Sequence, residues 1–140
     1  MGKVQILAVL TMDGCLSSEL YDKAHQDLCL DRCGLDEIRK KAFYRVTPDY
    51  SISMLHEWRK DCTNIRYLAE ATPDTADYIN GLLLMHAVDE IILYTVPFIS
   101  GSGRHFFKSA LPEQHWTLSS LKSYPNGVCR IIYILDKKAR

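Results

Sequence analysis

The chain has 140 residues, with 17 Lys+Arg set against 17 Asp+Glu, 47% hydrophobic residues and 24% charged residues. That is one domain's worth of chain, and residues 1–140 are read as a single domain. A neutral chain lacks the clustered Lys and Arg of a nucleic-acid binder or of a module for anionic membranes, the aliphatic content excludes intrinsic disorder, and no apolar run reaches the ~18 residues of a membrane span. Five cysteines without a Cys-x-x-Cys pair suit a reduced, cytoplasmic protein with free thiols and no zinc better than a disulfide scaffold.

Met1-Gly2-Lys3 ahead of Val4–Leu10 resembles the start of a signal peptide, but the run passes into Thr11-Met12-Asp13-Gly14 with no small-residue cleavage pattern. Lys3–Leu10 is almost continuously apolar and reads as a strand covered on both faces, as in a parallel sheet. Asp13-Gly14 turns the chain. Glu19–Arg32, with Leu20, Ala24 and Leu28 at helical spacing, predicts a helix capped by Ser17 or Ser18. After Gly34, Leu35–Tyr44 predicts a second short helix. Tyr50–Leu55 alternates and predicts a strand, as does Ile65–Ala69. Thr72-Pro73-Asp74 predicts a helix start, with Thr as cap, Pro in the first turn and Asp at the positive end of the dipole. Ala76, Ile79, Leu83 and His86 or Ala87 would form its buried stripe. Val88–Val96 is a strong strand stopped by Pro97. Gln114–Lys122 and Val128–Leu135 form a hairpin around Tyr124-Pro125-Asn126-Gly127. The fold class is therefore α/β with a mixed sheet.

His25, Cys29 and Cys33 recur every four residues, but the outer two lie about 12 Å apart along a helix, too far to share one ion. They read as a buried stripe rather than a metal face. Gly101-Ser102-Gly103-Arg104 is too compact for a Rossmann fingerprint and reads as a wide turn or a phosphate-contacting loop. No Gly-x-Ser-x-Gly elbow occurs. Two carboxylates stand out by position. Asp13 follows the first strand, and Glu70 ends a later strand just before a helix. Ligands of open α/β sheets collect beyond the carboxyl ends of parallel strands, so both are expected to overlook one crevice.

Thr11-Met12-Asp13-Gly14 after an apolar strand resembles the Ser-x-Asp-Gly motif of the dihydrofolate reductase-like superfamily. Within it, the reductase domain of the riboflavin-biosynthesis bifunctional deaminase-reductases is the nearer match. Leu68-Ala69-Glu70-Ala71-Thr72-Pro73 resembles that family's Glu-Gly/Ala-Gly-Pro turn, and Val88-Asp89-Glu90-Ile91 its Val-Asp-Glu strand start. Pro97 to Gly103, then Phe106-Phe107, resembles Pro-x-x-x-Gly-x-Gly followed by Leu-Phe. The resemblance covers the first ~20 residues and the chain from about Asn64 onward.

The resemblance implies a three-layer α/β/α domain with a mostly parallel sheet and a C-terminal antiparallel hairpin. It implies a cytoplasmic, dimeric, NADPH-dependent reductase of a pteridine or aminopyrimidine. By the same resemblance Asp13, Glu70 and Thr11 would bind substrate, while Ala8, Val9, Ala71, Thr72, Gly101 and Gly103 would border the cofactor. Two departures stand beside it. Nothing between Gly34 and Asn64 matches the family's Gly-Arg-x-Thr stretch, and Thr72 stands where the family has glycine. They support an alternative: a non-catalytic relative that has lost the cofactor site and binds a heteroaromatic ligand or a partner chain. The long apolar strands Trp116–Leu121 and Val128–Leu135 separately predict a homodimer, because otherwise they leave an edge or face open.

Overall fold

The structure, a computed structural model, describes residues 2–16, 33–61, 65–97, 99, 101, 105–108 and 111–136. The elements run β1 (Lys3–Leu10), α1 (Leu35–Lys41), β2 (Tyr44–Arg45), α2 (Ile52–Asp61), β3 (Arg66–Glu70), α3 (Ala76–Leu84), β4 (Glu90–Thr95), β5 (Trp116–Ser123) and β6 (Cys129–Leu135). They build a six-stranded sheet in the order β2-β3-β1-β4-β6-β5. β2, β3, β1 and β4 are parallel, and β6 and β5 add an antiparallel pair. This is the α/β mixed sheet that the strand pattern predicts. The expected helix over 19–32, with His25 and Cys29, lies outside the described residues.

The apolar run of β1 is explained by its place between β3 and β4 with a core on each face. Val4, Ile6, Ala8 and Leu10 enter one core with Leu55 of α2, Ile79 and Leu82 of α3, and Phe106. Leu7 enters the other with Leu35 of α1, Leu68, Ile92, Tyr94 and Val96, and Val9 packs against it. Ile79 and Leu82 are fully buried, worth roughly 1.5–3 kcal/mol each. Trp58 of α2 stacks on Tyr67 of β3, with ring centroids 6.0 Å apart. No helix among the described residues is long and apolar enough to cross a membrane.

Three elements differ from the sequence reading. The helix after Gly34 stops at Lys41 rather than Tyr44. Phe43 N–H is drawn to the Arg66 carbonyl (2.9 Å) and Val46 N–H to that of Leu68 (2.8 Å), which makes Tyr44–Arg45 an edge strand. Residues 50–55 do not form a strand. Ser51 Oγ accepts from Met54 N–H (3.2 Å), an N-cap contact that starts α2 and lets Leu55 reach the core. Helix α3 starts at Ala76 with Thr75 at its N-cap, so Thr72-Pro73-Asp74 forms the turn that feeds it. β5 carries a bulge. Leu118 pairs with Tyr133 and Ser120 with Ile132, leaving Ser119 as the extra residue.

Candidate functional site at the carboxyl ends of the parallel strands

From β1 the chain crosses to one side, to β2 and β3, and from β3 it crosses back past β1 to β4. The strand order therefore reverses beside β1, the position where open α/β sheets bind ligands. The edge there is stepped. β3 ends at Glu70 opposite Leu7, and Ala71 N–H closes on the Leu7 carbonyl (2.8 Å), while β1 runs on to Leu10.

Beyond Leu10 the chain makes the tight turn that Asp13-Gly14 predicts. Gly14 N–H donates to the Thr11 carbonyl (3.0 Å), and Gly14 takes φ +81°, a conformation that favours glycine. Buried Thr11 donates its hydroxyl to Asp13 Oδ1 and accepts from Cys15 N–H at 3.1 Å. Asp13 Oδ2 accepts from Gly101 N–H at 3.0 Å and lies 3.7 Å from Cys15 Sγ. Cys15, itself buried, pairs with His105 as an isolated bridge, and its Sγ lies 3.9 Å from His105 Nδ1. Thr11, Asp13 and Gly101, three residues singled out in sequence, thus meet in one hydrogen-bonded group. Cys15, Cys33 and Cys129 are free thiols.

Glu70 is engaged elsewhere. Arg39 of α1 holds its carboxylate through both Nε and Nη2, and Arg45 Nη1 lies 3.8 Å from Oε2. This pairing ties α1 and β2 to the end of β3. Glu70 is thus paired inside the chain with Arg39 and Arg45, whereas Asp13 is held by Thr11 and Gly101. Next to it, Thr75 Oγ1 donates to the Glu70 carbonyl (2.8 Å) and accepts from Thr72 N–H (2.8 Å), and Thr72 Oγ1 accepts from Thr75 N–H (3.2 Å).

The remaining sequence candidates fall in different surroundings. Ala8 turns into the α2/α3 core and is 1% exposed, so only its backbone could meet a ligand. Val9 is half-buried on the opposite face, beside Tyr94. Gly101 has φ +75° and open space where a side chain would stand. Gly103 lies outside the described residues.

A group that sequence reading missed sits on the α1 face of the same edge. Tyr94 of β4 and Tyr124 both donate their hydroxyls to the Cys33 carbonyl at 2.8 Å. Arg130 of β6 pairs in register with Tyr94. Burial pushes the Tyr94 hydroxyl up to about 12, with the Arg130 cation pulling the other way. The available signal was a tyrosine inside an aliphatic strand, since a buried hydroxyl requires a partner.

The fold so described is dihydrofolate reductase-like. No family model and no curated relative matches the chain. Solved structures do match in fold. Acinetobacter baumannii RibD superposes with TM-score 0.64 at 12% identity, over 98% of this chain and 59% of that one. Enterococcus faecalis dihydrofolate reductase, complexed with NADP(H), gives 0.59 at 11% identity, over 96% and 97%. A pyrimidine reductase-like protein from Corynebacterium diphtheriae gives 0.56 at 11%, over 96% and 92%.

Against a dinucleotide, the β3–α3 turn does not fit as it stands. The N–H groups of Ala71, Thr72, Thr75 and Ala76 are all donated within the chain, and Pro73 has none. A pyrophosphate at this helix start would find few free donors, with the Asp74 carboxylate nearby.

Proposed function

We propose that the chain is a reductase of a pteridine or aminopyrimidine ring, with NADPH as hydride donor held less tightly than is usual for this fold. The observation that carries this reading is Asp13, fixed by Thr11 at the carboxyl end of the central strand of a reductase-type sheet. NADPH, when bound, supplies the hydride. The residues of this chain orient the substrate. The Thr11 hydroxyl and the Gly101 N–H hold the Asp13 carboxylate in one rotamer, and that carboxylate is the acceptor proposed to meet a ring N–H. Gly101 borders Asp13 with its backbone open. Glu70, bound to Arg39 and Arg45, fixes α1 and β2 to the sheet instead of meeting the ring.

The closed Thr72–Thr75 turn favours a second reading, a non-catalytic relative that binds a heteroaromatic ligand without a cofactor. NADPH fluorescence titration separates the two. The reductase reading expects weak but saturable NADPH binding, strengthened roughly tenfold or more by Thr72→Gly, which removes the side chain that keeps a phosphate from the turn backbone. No binding by either form refutes the reductase and supports the second reading. Sub-micromolar binding by the unmodified chain refutes the argument from the turn.

The protein is also proposed to be a cytoplasmic homodimer. Leu118 and Leu121 of β5 are both well exposed, and their register partners Tyr133 and Ile131 share their face, an apolar surface suited to a second copy.

A further inference from the structure

We propose that Arg130 and Lys122 form an oxyanion-binding site, for a phosphate or a carboxylate, on the α1 face of the sheet where β4, β6 and β5 meet its carboxyl edge. Three observations carry it. First, the Arg130 guanidinium is drawn in among Tyr94, Tyr124 and Gly34. Its Nη1 lies 3.1 Å from where a Cβ on Gly34 would stand, and its Nε is buried with no hydrogen-bond partner. Second, no carboxylate among the described residues pairs with it. Arg130 is half-buried, and a guanidinium N–H out of water without an acceptor is costly, a cost that an incoming anion relieves. Third, Lys122 of β5 stands directly opposite Arg130 in register, so both side chains lie on one face. Like charges in that relation destabilise a strand pair. Lys122 Nζ lies 5.3 Å from the ring centroid of Tyr124, whose hydroxyl stands with Arg130 Nη1 around Gly34.

The surroundings are arranged to hold the guanidinium still. The Tyr94 and Tyr124 hydroxyls spend their protons on the Cys33 carbonyl, so each turns oxygen lone pairs, not an O–H, toward neighbouring donors. Gly34, at φ +81° and without a side chain, leaves the space that Arg130 Nη1 occupies. Lys122 is exposed and gives the solvent side of the site a point charge, while Arg130 gives the inner side a planar fork. A fork and a point charge on one face suit an oxyanion, whose several oxygens accept from both at once.

The site requires neither a nucleotide nor turnover, so its test is independent of the reductase reading. The thermal midpoint of the full chain is followed during titration with inorganic phosphate and, separately, with acetate, each against sodium chloride at equal ionic strength. A saturable rise above the chloride control is expected for at least one of them. Phosphate alone identifies a phosphoryl ligand, and acetate as well admits a carboxylate. Arg130→Gln is expected to weaken the apparent affinity roughly tenfold or more. Lys122→Gln changes only an exposed side chain, so it keeps the fold and is expected to weaken binding by a smaller factor. That second variant decides the matter if Arg130→Gln does not fold. No rise beyond chloride, or a rise unchanged in Lys122→Gln and in folded Arg130→Gln, overturns the proposal.

Discussion

Replacing Asn80 by alanine is expected to destabilise the protein far more than the loss of a small polar side chain suggests. Asn80 sits in α3, 5% exposed, and its amide bridges two segments. Nδ2 donates to the Ala76 and Phe106 carbonyls, both at 2.8 Å, and Oδ1 accepts from Lys108 N–H at 3.1 Å. These bonds pin residues 106–108 to α3 and seat the Phe106 ring in the core. In Asn80→Ala the Ala76 carbonyl keeps its helical partner. The Phe106 carbonyl and the Lys108 N–H lose theirs, the first in a residue that is wholly buried. An orphaned buried group costs about 1–3 kcal/mol, and Lys108, which is exposed, recovers part of its loss from water. The expected total is about 2–4 kcal/mol. With a urea dependence of roughly 1–3 kcal/mol per molar, the midpoint falls by about 1–2 M. Asn80→Asp is expected to be worse at neutral pH, because a carboxylate replaces the donor facing two carbonyls, and better at acidic pH, where that carboxyl is protonated. Equilibrium urea unfolding followed by the fluorescence of Trp58 and Trp116 measures all three. A loss below about 0.5 kcal/mol in Asn80→Ala, or an Asn80→Asp variant equal to it at every pH, refutes the reasoning.

The Tyr94 hydroxyl has a folded value near 12, above its ordinary 10.0, so the folded state favours the neutral form. Its contribution to stability is complete below about pH 10 and is lost as pH rises toward 12. Tyr94→Phe is expected to flatten that alkaline decline, as read by unfolding midpoints at successive pH values. Gly34→Ala forces a side chain onto a backbone at φ +81° and against Arg130, whereas Gly101→Ala meets only the backbone penalty at φ +75°. The first is expected to cost about 1–2 kcal/mol or more and the second less, and equal losses in thermal unfolding would remove the contact argument. If the β5–β6 face binds a second copy, Leu121→Lys yields a monomer by light scattering while leaving the circular dichroism spectrum intact. A wild-type chain that scatters only as a monomer at micromolar concentration rules out the dimer.

Much of the fold is legible because the sheet buries both faces of its centre. The continuous apolar run of β1, and those of β4 and β6, have no other use. The short segments are harder. Over Tyr50–Leu55 alone, alternation and a first helical turn look alike, and the distinction comes from Ser51 as a cap and from Trp58, which extends the spacing of Ile52 and Leu55 beyond the window. At Thr72 the sequence carries every helix-start signal, and Thr72 Oγ1 does accept from Thr75 N–H, but the regular helix begins only at Ala76, while Thr75 Oγ1 bonds back to the Glu70 carbonyl. The site divides the same way. Thr11 and Asp13 are two residues apart, and their turn chemistry is written locally. The partner of Glu70 is Arg39, 31 residues away, and no local pattern announces it. The Tyr94–Tyr124–Arg130 group is assembled from β4, the hairpin turn and β6, so only the register brings it together.

The bulge in β5 has a consequence for how this chain tolerates change in length. Trp116 and Leu118 precede the extra residue and Leu121 follows it, yet their register partners Leu135, Tyr133 and Ile131 all lie on one face. Ser119 is a spacer that reconciles two stretches whose apolar phases differ by one. Removing it would leave every pairing on either side with the orientation it already has. Elsewhere in the ladder, gaining or losing a single residue inverts the sidedness of everything downstream. In lineages descended from such a chain, this is the point in the hairpin where insertions and deletions are expected to survive.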